Sequence, residues 1–118
     1  MKSRLAYLVL AMLLLSLSAF AQMQSGTFTF DKSTPEYTLD QNKGDRVAQI
    51  EIAFPKPIDA KPEIVIAVSM LDASKDTNVR YAFKTIGVSR DGFTLQVKTW
   101  EDTKIHAIGG TWIAYVKK

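Results

Sequence analysis

Few residues in this 118-residue chain could carry out chemistry. There is no Cys, and the single His is His106. A hydrolytic triad would need His106 as its base, yet no serine sits in a G-x-S-x-G turn and nothing positions a nucleophile against it. Thiolate and histidine metal sites lack ligands for the same reason. Carboxylate-only calcium sites are conceivable over Asp72 to Asp76 or Asp40 to Asp45, but the spacing does not match an EF-hand loop. The pair Glu101 and Asp102 would suit a glycosidase only inside a deep cleft, which a small β domain rarely supplies. The expectation is a protein without catalytic residues, bound metal or cofactor.

Other residues suit a shallow polar ligand. Arg80 follows a polar loop ending Asp76-Thr77-Asn78, and its guanidinium offers five donors in a fixed fork that can meet several hydroxyl oxygens. Trp100 is followed by Glu101, Asp102 and Thr103. An indole face beside a carboxylate matches a pyranose, whose C–H face stacks on the ring while its hydroxyls donate to the acid. Each residue also has a plainer role open to it. Arg80 would serve as partner to a surface acid, Trp100 as core, and Glu101-Asp102 as a solvated turn.

The elements that must position these residues begin after an N-terminal segment of different character. Lys2 and Arg4 precede an apolar run from Leu5 to Leu17, and Ala19-Phe20-Ala21 places small residues where a signal peptidase reads them. This predicts a secretory signal over residues 1–21, cut after Ala21, and a secreted or periplasmic domain over residues 22–118. The run is short for a membrane span, a retained anchoring helix being the alternative. No Cys follows it, so lipid attachment there is excluded, and no second apolar span follows. Taking Lys2 and Arg4 from the 15 basic residues leaves 13 against 12 acids, a net charge of about +1. That balance removes the electrostatic argument for a nucleic-acid partner.

Beyond residue 22 the apolar residues alternate with period two. Gln24 to Phe30, Val47 to Phe54 and Phe93 to Lys98 read as half-buried antiparallel strands. Asn78 to Val88, with Arg80 inside it, and Lys104 to Val116 are rich in β-branched and aromatic residues and read as strands too. Turn signals separate them at Asp40 to Asp45, Pro55-Lys56-Pro57, Asp72 to Thr77 and Arg90-Asp91-Gly92. With Ile64 to Leu71 this makes six strands, an all-β, six-stranded antiparallel β-sandwich in one domain. Ile64 to Leu71 is apolar on both faces apart from Ser69, so its outward residues Val65, Ala67 and Leu71 need cover, from a neighbouring subunit or from a loop.

The stretch Ile50 to Val116 resembles an H-type lectin domain, the family of snail egg-white agglutinins and slime-mould discoidins. The likeness runs through Ile52-Ala53-Phe54-Pro55-Lys56-Pro57, Pro62-Glu63-Ile64-Val65, Ser69-Met70-Leu71-Asp72, Asn78-Val79-Arg80 and Gly92-Phe93-Thr94-Leu95. It continues through Thr99-Trp100-Glu101-Asp102-Thr103-Lys104-Ile105 to Thr111-Trp112-Ile113-Ala114-Tyr115, and Gln24-Ser25-Gly26-Thr27 resembles the family's usual opening. The resemblance implies a β-sandwich that assembles as a homotrimer, sometimes stacked into a hexamer, with sites between protomers for galactose-type sugars, notably N-acetylgalactosamine. It places the binding arginine of an N-x-R motif on Arg80, after Asn78, the aromatic of a T-W motif on Trp100, and the polar residue after it on Glu101. The tyrosine further along the same strand falls on His106, and a loop acid falls on Asp40 or Asp45. Two departures stand out: Glu101 occupies a position where a snail member has histidine, and Gly109-Gly110-Thr111 replaces more apolar residues, which implies a looser last strand.

Overall fold

The computed structural model describes residues 23–117, so the expected signal segment over residues 1–21 lies outside the described residues. Alternating side chains reach opposite faces of an extended chain, and the segments that alternate are the ones that pair. The strands are β1 (Met23–Phe30), β2 (Arg46–Ala53), β3 (Glu63–Ala73), β4 (Ala82–Ile86), β5 (Gly92–Thr99) and β6 (Ile105–Tyr115). They form two three-stranded antiparallel sheets, β1–β6–β3 and β2–β5–β4. The fold is the expected six-stranded antiparallel sandwich.

Facing positions of the two sheets make one core. In β2 and β5 the inward residues pair as Ile52 with Phe93, Ile50 with Leu95, Ala48 with Val97, and Arg46 with Thr99. The other sheet supplies Phe28, Phe30, Ile108, Trp112 and Ala114. Phe28 meets Phe83 of β4 edge-on across the interface at 5.4 Å between ring centroids. The rings of Phe54 and Phe93 lie 5.6 and 5.9 Å from Trp112. Each large apolar side chain so buried stabilises the fold by about 1.5–3 kcal/mol relative to exposure, and a chain with no disulfide depends on that sum. Tyr37, Leu39 and Ile58, from loops, also lie in the core.

Three departures from the sequence reading have physical causes. The strand expected over 78–88 contracts to Ala82–Ile86. Its partner among the described residues, β5, ends one residue beyond the last rung, Ala82 opposite Lys98, so residues 78–81 run past the ladder. Side chains take their carbonyls instead: Thr99 Oγ1 donates to the Arg80 carbonyl and Thr103 Oγ1 to that of Asn78. The doubly apolar strand is longer than expected and carries an extra residue, Ser69, between the rungs Val68–Gly110 and Met70–Gly109. That extra residue turns Met70 rather than Leu71 outward; Leu71 shares the core-facing row of Phe30 and Ile108, which corrects the expectation of an outward Leu71. Val65 and Met70 on the outer side stay 45% and 40% exposed, and within the described residues no loop covers them. Finally, Gly109-Gly110 does not loosen the last strand. β6 runs unbroken, and a Cβ on Gly110 would sit 1.8 Å from the Ala67 carbonyl oxygen, so the missing side chain is what lets β3 approach.

Candidate functional site

The connectivity gathers three crossings at one end of the sandwich. The ends of β1 and β3 lie beside the start of β6, and the starts of β2 and β4 lie beside the end of β5. The loops 31–45, 74–81 and 100–104, which pass between the sheets, therefore share that end. Every residue singled out as a binding candidate, Asp40, Asp45, Asn78, Arg80, Trp100, Glu101 and His106, lies in one of these loops or at the first turn of β6.

Arg80 is the best-defined of them. Its Nη1 donates to Asp102 Oδ1 at 2.9 Å and to Thr103 Oγ1 at 3.1 Å. Thr103 is fully buried, and its hydroxyl passes the chain on to the Asn78 carbonyl at 2.6 Å. The Arg80 backbone is held as well, its carbonyl accepting from Thr99 Oγ1 at 2.5 Å. Both hydrogens of Nη1 are thus engaged, while Nη2 and Nε meet no acceptor among the described residues, on a side chain still 26% exposed. The hydrogen bond from Arg80 holds the Asp102 carboxyl below its ordinary range, assisted by the charges of Arg80 and Lys43. The surface-acid role that the sequence left open for Arg80 is therefore real, and it uses one nitrogen of three.

Trp100 directly follows β5 and is half-buried, outside the main core. It opens a tight turn in which the Thr103 amide donates back to its carbonyl. Glu101 and Asp102 at the tip are exposed. Glu101 adopts a left-handed backbone, φ 58°, which costs a non-glycine residue about 1–2 kcal/mol. Its carbonyl accepts from the Gly44 amide at 2.9 Å and from Arg46 Nη2 at 3.1 Å.

Arg46 was not among the sequence candidates. It opens β2 and is only 6% exposed. Besides Glu101, its guanidinium donates to the carbonyls of Gly44 at 3.0 Å, Gln41 at 2.7 Å and Leu39 at 3.4 Å. The signal that would have found it is parity. Counting by twos back from Phe54, Ile52, Ile50 and Ala48 puts an arginine on the core side, where a charge must be held by something.

The remaining candidates form no hydrogen bond with Arg80 among the described residues. Asp45 pairs with Lys98 of β5 at 3.1 Å. Asp40 has one carboxylate oxygen, Oδ1, that is buried and accepts no hydrogen bond from the described residues; Thr77 Oγ1 is in the same condition. His106 lies on β6, not on the strand that leads to Trp100, because the turn 100–104 intervenes. Its side chain is exposed and borders a shallow depression with Asp31, Lys32 and Ser33. Within one protomer, then, Asn78, Arg80 and the Trp100–Thr103 turn form one cluster, with the 39–45 loop fastened to it through Arg46. No group of three or more acids and histidines suited to a metal ion occurs among the described residues.

A two-sheet antiparallel sandwich with a shallow polar cluster at its loop end offers a surface suited to binding rather than an enclosed cleft. Residues 49–115, more than half of the chain, match the model of the H-type lectin domain, and the chain belongs to that family. Membership in a lectin-domain family points to a non-enzymatic protein. A curated relative, "ATP synthase subunits region ORF 7" of Fuscovulum blasticum, is 31% identical over 71 residues, 60% of this chain and 62% of that protein. Among solved structures, wild-type discoidin II from Dictyostelium discoideum superposes with a TM-score of 0.71 at 21% identity, over 81% of this chain and 36% of that one. The native structure of recombinant discoidin II from the same organism gives 0.71 at 19% identity, over 81% and 37%. The chain thus spans less than two thirds of each of these proteins, and at such identities the structural likeness concerns the fold. Among the described residues no helix is long and apolar enough to cross a membrane.

Proposed function

We propose that this protein is a secreted or periplasmic lectin that binds galactose-type sugars, N-acetylgalactosamine among them, through shallow sites completed between the protomers of a homotrimer or a stacked hexamer. The observation that carries the reading is the half-committed Arg80 guanidinium: Nη1 is anchored to Asp102 and Thr103, which aims the fork, while Nη2 and Nε are left for ligand oxygens. Trp100 offers a half-buried indole at the head of the turn that anchors Arg80, and Glu101 an exposed carboxylate on the same turn. Asp40 or Asp45 would accept from vicinal hydroxyls, with Asn78 and His106 lining the rest. The uncharged middle of the outer face of the β1–β6–β3 sheet, between rows that carry Glu63 and Asp72, supports the oligomer. Its successive rows read Ser25, Ile113 and Val65, then Thr27, Thr111 and Ala67, then Thr29, Gly109 and Met70. Few hydroxyl contacts outcompete water at a shallow site, so single-site affinity is weak and avidity comes from several sites on one particle.

The test is a glycan array with protein beginning at Gln22, with and without EDTA, alongside Arg80→Ala. Signal confined to terminal galactose or N-acetylgalactosamine, indifferent to EDTA and lost in a folded Arg80→Ala oligomer, is the expected result. A second reading, an assembly or adhesion module without sugar binding, is favoured by the Arg80–Asp102 ion pair, which gives the arginine a structural partner. A confirmed trimer silent on every glycan would establish it in place of the lectin.

A further inference from the structure

We propose that Arg46 is the positioning residue of the sugar site, an inference that rests on the lectin reading above. It holds the two loops that carry the candidate ligand groups at a fixed spacing and keeps Glu101 in its left-handed conformation. The argument starts from an anomaly. Arg46 is a permanent charge, 6% exposed, and no carboxylate pairs with it among the described residues. A core position that needed only filling would take an apolar residue, since a buried charge is tolerated only when its donors are met. Here four hydrogen bonds hold it, all to backbone carbonyls, and those carbonyls come from two separate segments. Leu39, Gln41 and Gly44 belong to the loop that carries Asp40 and Asp45. Glu101 belongs to the turn that carries Trp100 and, through Asp102 and Thr103, anchors Arg80.

The strain falls where these bonds converge. Glu101 at φ 58° and Gly44 at φ 81° face each other across the junction, and the Glu101 carbonyl receives both the Gly44 amide and the Arg46 guanidinium. A glycine at 101 would carry no steric penalty there. A strained residue persists where its surroundings over-determine it, and such strain collects at ligand-binding sites. Two donors on one carbonyl supply that over-determination. Arginine alone suits the task, because its planar fork reaches several carbonyls in fixed directions, whereas lysine presents a single flexible ammonium. Arg46 thus organises the site ahead of the ligand, so that ordering the loops does not have to be met from the few contacts a monosaccharide makes.

The test compares the full chain with Arg46→Lys, with Arg46→Ala, and with Ile52→Ala, a core variant opposite Phe93 at the far end of β2 from Arg46. Galactose and N-acetylgalactosamine affinity is measured by calorimetry at a temperature where circular dichroism shows each variant folded, and exchange of the Gly44 amide is followed by NMR. Arg46→Lys should weaken sugar binding by about tenfold or more, the scale of one lost hydrogen bond to a charged group. Its Gly44 amide should exchange faster by a similar factor. Ile52→Ala, though less stable, should bind as the native protein does, and methylguanidinium should restore affinity to Arg46→Ala. Native affinity in folded Arg46→Lys overturns the proposal, as does unchanged Gly44 exchange. Should the native protein bind no sugar, the lectin reading fails separately, and Gly44 exchange still decides whether Arg46 holds the junction.

Discussion

Replacing Thr103 by valine would remove one oxygen while nearly keeping the shape of a fully buried side chain. That oxygen donates to the Asn78 carbonyl at 2.6 Å and accepts from Arg80 Nη1 at 3.1 Å, so both bonds go at once. A neutral hydrogen bond contributes about 1 kcal/mol net and one to a charged group about 1.5–3 kcal/mol. The lower end applies, because Arg80 keeps Asp102 and part of its side chain stays in water, as does much of Asn78. The expected loss is about 2 kcal/mol, or about 8–16 °C in Tm for a domain of this size. Urea unfolding followed by tryptophan fluorescence would measure it, since Trp112 is in the core and Trp100 adjoins the substituted turn. A double-mutant cycle with Arg80→Met isolates the Thr103–Arg80 bond, with an expected coupling of about 1 kcal/mol. A loss below about 0.5 kcal/mol, or a coupling indistinguishable from zero, would refute the bridging role of the hydroxyl and with it the account of how Arg80 is aimed.

Gly110→Ala should unfold the protein or cost about 3 kcal/mol or more, because the new methyl would lie 1.8 Å from the Ala67 carbonyl oxygen and backbone cannot yield as a side chain does; a variant that melts with the native protein would show that β3 and β6 are less tightly apposed. Tyr37 makes stability sensitive to alkali. Burial raises its phenol above the ordinary value of 10.0, with Asp40, Asp31 and Asp72 adding to the effect, and the hydroxyl donates to the Ile105 carbonyl at 2.5 Å. The unfolded phenol loses its proton first, so the contribution of Tyr37 is complete below pH 10.0 and declines as pH rises above it. Tyr37→Phe should cost about 1 kcal/mol at neutral pH and flatten the alkaline decline, and equal slopes in chemical denaturation between about pH 9 and pH 11 would refute this.

Three of the strands were legible because each carries its own two-residue period, and the others because they are rich in β-branched, aromatic or apolar residues. Ile50, Ile52 and Phe54, or Phe93, Leu95 and Val97, tell which face is buried without reference to any partner. The site was legible only as residue types. Arg80, Trp100 and Glu101 were found by what they can do, and His106 was carried along by resemblance onto the strand of Trp100, when an intervening turn sets the two on different sheets. The expected strand over 78–88 was too long because strand propensity does not report where the partner ends. Arg46 escaped notice since an arginine at a strand's first residue looks like a surface charge until its parity is read against Ala48 and Ile50.

Side-chain identity and periods of two were enough to give six strands, the buried faces of β1, β2 and β5, and the absence of thiol chemistry. Tertiary structure decided what meets what. Strand pairing brings the loops 31–45, 74–81 and 100–104 to one end, where Arg80 finds Asp102 and Thr103, 22 and 23 residues away, and Arg46 reaches Glu101, 55 residues away. Local patterning carries no information on such separations. A hydrogen bond forms between groups brought within about 3 Å in three dimensions, and it is the closure of the two sheets on one core that brings them there.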